Sequence, residues 1–178
     1  MKVYKCVITE DEMTSDIYNI ETVEGQPLLL KVTGRLTTKQ GFTIDESFIG
    51  GNASAEATDM AAGNGGTVAS EQVIDIVDGH RLVKVQPFQK TTFKDFRLEM
   101  KGFLRLVAEK LSDSDKLAEF KSGAAAALKY LYQNLKSYEV YLGESINPEG
   151  STGFLNFEED GVTPYMLFFK HGLVEEKY

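Results

Sequence analysis

Carboxylates are the side chains of this chain whose spacing could do the most chemistry. Glu10, Asp11, Glu12 and Asp16 place four of them within seven residues. Asp45, Glu46, Asn52 and Glu56 flank or belong to the glycine segment Ile49-Gly50-Gly51-Asn52-Ala53-Ser54-Ala55-Glu56. Hard cations take several converging oxygen ligands, so both stretches are candidate calcium ligands. Asp113-Ser114-Asp115 lacks the glycine and distal glutamate of an EF-hand, and Glu158-Glu159-Asp160-Gly161 reads as a charged turn. On residue types alone these carboxylates read as a solvated acidic surface. The glycine segment has two readings. Adjacent glycines permit positive φ, and Asn52 and Ser54 can bond nearby backbone, which makes either a tight turn fitted to a sheet or a recognition loop.

Nucleophile and base chemistry has little to work with. The chain has two histidines, His80 and His171, and one cysteine, Cys6. Each histidine adjoins a glycine in a turn-like stretch, which predicts solvated turn residues, and Cys6 is expected to be an inert strand residue or to sit near a surface. Structural zinc needs about four Cys or His ligands, one more than exist here, so zinc is not expected. No G-x-S-x-G, P-loop or dinucleotide fingerprint occurs. The chain therefore reads as a non-enzyme with no catalytic residues and no required cofactor.

The elements that would position these groups follow from composition and periodicity. The 178 residues are 42% hydrophobic and 26% charged, which suits one domain spanning 1–178 with a core. No apolar run approaches a membrane span, and Met1–Cys6 lacks the apolar stretch of a secretory signal, so a cytoplasmic location is the default. The net charge is −8. It is segregated: residues 90–136 carry 10 basic and 6 acidic side chains, while both flanks are acidic. Such asymmetry bears on partners rather than fold, and an acidic chain without a binding motif makes nucleic acid a poor partner.

Residues 2–9, 17–23, 27–33 and 35–38 read as strands, the middle pair joined by Glu24-Gly25-Gln26. Residues 57–70 are small and polar, which predicts a mobile loop. Val73–Val77 and Leu82–Gln86 flank Asp78-Gly79 and read as a hairpin. Phe93, Phe96, Met100, Phe103, Leu104, Val107 and Leu111 then repeat at helical spacing behind Thr92, a fitting N-cap with Asp95 three residues on. Leu117, Phe120, Ala124, Leu128, Leu131 and Leu135 form a second apolar face after a break at Ser112–Asp115. Together they predict an antiparallel helical hairpin over 90–136. The exposed face of the first helix carries Lys90, Lys94, Arg97, Lys101 and Arg105, interrupted by Asp95 and Glu99. Tyr138–Leu142, Thr152–Phe157 and Pro164–Lys170 return to strands. The class is α+β with a mostly antiparallel sheet.

Four separated segments match a known family in order. They are Asp11-Glu12-Met13 with Ser15-Asp16-Ile17-Tyr18; Ile49–Glu56; Tyr141-Leu142-Gly143-Glu144-Ser145-Ile146-Asn147-Pro148-Glu149-Gly150; and Glu159–Leu173. From Met1 to about Leu173 the chain resembles the translationally controlled tumour protein family. The resemblance implies a folded β "tent" with a protruding helical hairpin and a growth- and survival-related binding protein. It implies a cytoplasmic location, with release from cells without a signal peptide. It implies weak calcium binding, for which Asp45, Glu46 and Asn52 are the first candidates. Tubulin binding and microtubule stabilisation map in that family to the helical segment, here Lys90, Lys94, Arg97, Lys101 and Arg105, and components of the translation elongation factor are further implied partners. The alternative role is exchange or accessory activity on a Rheb- or Rab-like small GTPase, with Glu12, Asn52, Ser54, Glu56 and Glu144 as contacts. Family tents are similar to zinc-containing accessory proteins of Rab GTPases, whose metal site this chain lacks. Glu12 has a plainer reading too, as the cap of a short helical turn around Met13–Asp16.

Overall fold

A computed structural model describes residues 1–39, 71–88, 92–112 and 115–178. The glycine segment, the loop expected at 57–70, and Lys90 lie outside them. Eleven strands are seen among the described residues: β1 Lys2–Cys6, β2 Glu12–Ser15, β3 Asn19–Val23, β4 Gln26–Thr33, β5 Leu36–Lys39, β6 Glu71–Ile74, β7 Val83–Val85, β8 Glu139–Leu142, β9 Gly153–Phe157, β10 Pro164–Phe169 and β11 Leu173–Lys177. Three α-helices stand with them among the described residues: α1 Asp75–Gly79, α2 Phe93–Leu111 and α3 Asp115–Gln133. The strands form a six-stranded sheet in the order β3-β4-β10-β9-β8-β7, a three-stranded sheet β11-β1-β2, and the pair β5-β6. The pairings are antiparallel throughout.

The centre of the six-stranded sheet is buried on both faces, which explains why β10 reads Pro-Tyr-Met-Leu-Phe-Phe with no polar alternation. Leu167 and Phe169 face a core shared with Phe96, Met100, Phe103 and Val107 of α2 and Phe120, Leu128 and Leu131 of α3. Met166 and Phe168 face the other way, into a core with Cys6 of β1, Met13 of β2 and Ile76 of α1. β9 divides likewise between Phe154 and Leu155, and β8 between Val140 and Tyr141. The α+β architecture and the helical hairpin are as expected, with the hairpin's apolar face laid on the large sheet. Thr92 caps α2 by accepting from Asp95 N at 3.1 Å, and Gly25 turns β3 into β4 at φ 78°.

Three expectations fail. Residues 73–86 are not a hairpin: β6 pairs with β5 and β7 with β8, so the chain must cross between sheets. It does so through α1, whose Asp75 Oδ1 accepts from Ile76 N and Arg35 N, both at 2.8 Å. Five residues with two adjacent apolar side chains, Ile76 and Val77, cannot distinguish a helical from a strand period. Second, Met13–Asp16 is no helical turn; Glu12–Ser15 is β2, with Val3 opposite Ser15 and Tyr4 opposite Thr14. Third, neither histidine is a solvated turn residue: His80 is 8% exposed and His171 6%. His171 follows β10 in a 3₁₀ turn, where Nε2 lies 2.8 Å from Glu119 Oε1 of α3 and the ring packs on Phe120.

Candidate functional site

Three loops from distant parts of the sequence meet around Glu12. Glu12 opens β2 with its side chain about half exposed, and its Oε1 lies 2.7 Å from Nδ1 of His80, just beyond α1. The His80 ring is covered edge-on by Tyr18, whose hydroxyl donates to the Asp75 carbonyl at 3.1 Å. Burial, followed by the nearby carboxylates Asp75, Asp78 and Glu12, pushes the Tyr18 hydroxyl up to about 12. The next residue, Arg81, reaches Glu144 at 3.6 Å, both side chains well exposed. Glu144 belongs to the β8–β9 loop, which Asp11 fixes: its Oδ2 accepts from Ser145 Oγ at 2.5 Å and from Thr9 Oγ1 at 2.9 Å. Gly143 is needed here, because a Cβ would collide with the Asp11 carboxyl.

Backbone strain gathers on the same face. Among the described residues four non-glycines have positive φ, and three of them are Glu10 (66°), Arg81 (54°) and Ile146 (54°), one in each of the three loops. For the β-branched Ile146 this is an outlier, and such strain persists only where surrounding contacts over-determine it. The arrangement is a pre-formed acidic surface carrying one arginine. Its carboxylates do not converge as cation ligands: Glu12 turns to His80, Asp11 to Ser145, and Asp16 to the backbone N–H of Lys2 at 3.1 Å. Among the described residues no three His, Cys, Asp or Glu side chains are grouped to hold a metal.

Cys6 is fully buried, which corrects the reading that allowed it a surface position. Its Sγ accepts from the N–H groups of Ser151 (3.2 Å), Ile8 and Thr9 (both 3.4 Å). Burial pushes the thiol up, but these hydrogen bonds outweigh it and hold the group below its ordinary value.

The second surface is the outer side of the hairpin. Lys94, Arg97, Lys101 and Arg105 of α2 are all exposed. Arg97 lies 5.9 Å from the Phe93 ring centre, and Arg105 pairs with Glu109 at 3.5 Å. Beside them α2 and α3 enclose a groove of about 530 Å³.

A profile of the family described as translationally controlled tumour protein matches residues 1–174. The chain belongs to this family. The translationally-controlled tumor protein homologs of Xenopus tropicalis and Danio rerio are each 41% identical to it over 99% of both chains. The solved structure of the translationally controlled tumor-associated protein of Schizosaccharomyces pombe superposes with a TM-score of 0.75 at 33% identity, covering both chains completely. A Caenorhabditis elegans member at 20% identity shares the fold with a TM-score of 0.63.

Of the residues expected to matter in a translationally controlled tumour protein, Glu12 and Glu144 are brought to one face through the consecutive residues His80 and Arg81. Asn52, Ser54, Glu56, Asp45, Glu46 and Lys90 lie outside the described residues. Sequence reasoning missed His80, Arg81 and Asp11 as parts of this face. The available signal was indirect: Asp11 and Gly143-Glu144-Ser145 belong to two of the matching motifs, whereas nothing local singles out His80.

Proposed function

We propose that this chain is a non-enzymatic binding protein that docks several partners, with tubulin on the outer face of α2. The observation that carries this reading is the row Lys94, Arg97, Lys101 and Arg105, exposed together on one helix of an otherwise acidic chain. Such a row attracts a strongly acidic surface and is sensitive to salt. Reversing Lys94, Arg97 and Lys101 to glutamate is expected to weaken co-sedimentation with microtubules by about tenfold or more. Unchanged binding by a folded triple variant would sink the reading. Calcium binding through Asp45, Glu46 and Asn52 is part of the proposal and rests on the resemblance. An amide NMR titration should give saturable, Ca²⁺-selective shifts confined to residues 45–56. Equal, diffuse shifts with Mg²⁺ would mean simple screening.

A second reading is favoured by the Glu12 face. A GTPase holds its nucleotide phosphates with a lysine, backbone amides and Mg²⁺. A carboxylate offered there competes for the lysine and favours the empty state. Glu12 has one oxygen on His80 and a half-exposed side chain, so it can be offered while staying anchored. Glu12→Gln retains an oxygen for His80 and removes the charge. It should abolish accelerated GDP release from a Rheb-like GTPase; wild-type exchange rates in that variant would overturn the idea.

A further inference from the structure

The inner face of α2, built on Phe96, Met100, Phe103 and Val107, is spent on the core. Beside it, Leu104 and Ala108 are only partly buried against that core and keep part of their surface free. Leu98 is 55% exposed, and with Leu104 and Ala108 it faces Phe120 and Ala124 of α3 across the groove of about 530 Å³. The walls are cationic, with Arg97, Lys101 and Arg105 on one side and Lys121 on the other, and none of the described lining residues is acidic. Arg97 and Ala108 are eleven positions apart, about 16 Å of helix or three turns. The chain thus offers an apolar floor with a small residue, Ala124, where close approach is possible, edged by positive charge over the length of a short helix.

We infer that this groove receives an amphipathic helix whose apolar stripe is bordered by carboxylates. A flexible acidic tail would answer the cations and leave Leu98 and its neighbours wet. A neutral amphipathic helix would cover the floor and partly desolvate Arg97, Lys101 and Lys121 while supplying no carboxylate to them, which is unfavourable. Only a helix carrying both features satisfies both, in the helix-in-groove mode where anchors recur every three to four residues. This partner class rests on the α2 landing-site reading for the sign of its charge alone; the apolar floor is an independent observation.

Three synthetic peptides of equal charge test it by fluorescence anisotropy against the whole chain: a helical peptide of about 14 residues with leucines at i, i+4, i+7 and i+11 between glutamates, the same composition scrambled, and oligo-glutamate. The striped peptide should bind at least about tenfold tighter than either control, the range one buried leucine supplies. Leu98→Ser with Ala124→Gln, the first exposed and the second only partly buried against the core, should remove that advantage and leave oligo-glutamate binding unchanged in a variant whose thermal unfolding shows it folded. Lys101→Glu with Arg105→Glu should weaken both. Equal binding of the striped and scrambled peptides overturns the groove while leaving the electrostatic tubulin reading standing. Tight striped-peptide binding without tubulin binding does the reverse. Self-association that the striped peptide competes away would make a second copy of the chain the occupant and would also overturn the proposal.

Discussion

At the scale of single residues, the decisive pair is Glu12 and His80. The sequence offered each a bland role, one capping a turn and the other solvated in one, and the structure makes each the other's partner at 2.7 Å. Their separation of 68 positions is why neither was legible: a local reading sees spacing along the chain, and this contact exists only once β2 and α1 are folded. The pairing has a consequence for mutagenesis. His80 Nε2 is buried with no hydrogen-bond partner among the described residues, so the ring depends on Nδ1 for its polar contact. Removing the carboxylate leaves a buried ring nitrogen unsatisfied, which costs about 1–3 kcal/mol. Glu12→Ala should therefore lower the stability of the protein itself, as read by urea denaturation, whereas Glu12→Gln should lower it far less. Loss of any activity in Glu12→Ala alone would then report partly on His80. If both variants unfold at the wild-type midpoint, the His80 contact contributes nothing to stability and the alanine variant becomes an unconfounded probe.

At the scale of elements, the two long helices were legible because a 3.6-residue period sustained over nineteen residues has no competing explanation. α1 was not legible, since five residues satisfy either period, and neither was β11, whose Leu-Val-Glu-Glu-Lys is mostly exposed. β11 is held instead by backbone pairing to β1 and by ion pairs such as Lys5 with Glu176 at 3.3 Å, none of which an apolar pattern announces. The ends of α2 differ in quality. Thr92 is a working cap, so Thr92→Ala should cost about 1 kcal/mol. Ser112, at the other end, stands at φ 54° and ψ −134°, a conformation glycine adopts without strain. Its N–H still reaches the Ala108 carbonyl at 3.1 Å, a bond glycine would keep. Ser112→Gly should therefore stabilise by roughly 0.5–1 kcal/mol, seen as a raised Tm. A lowered Tm would mean that the serine side chain makes a contribution larger than the strain it endures.

At the scale of the whole molecule, the six-stranded sheet is a shared wall between two cores. Adjacent residues on one strand serve opposite sides, as Phe154 and Leu155 do on β9 and Leu167 and Phe168 on β10. A strand cannot lose one face and keep its register, because the same backbone hydrogen bonds hold both. The helical hairpin and the three-stranded sheet are therefore expected to stand or fall together. Phe154 is fully buried beneath α2, with its ring 6.5 Å from that of Phe96 and 5.8 Å from that of Tyr138. Phe154→Ala should cost about 3–5 kcal/mol, and the loss should appear in both layers at once. Far-ultraviolet circular dichroism, dominated by α2 and α3, and a fluorescent label in the three-stranded sheet should report one coincident transition, shifted equally. Separate transitions, with the label unmoved while the helices melt early, would show that the hairpin is an autonomous unit resting on the sheet. In that case the groove between its helices could open without disturbing the Glu12 face, and the two surfaces would act as independent sites. A single transition instead ties them energetically, so a partner that clamps α2 against α3 also stabilises the loops around Glu12 against unfolding.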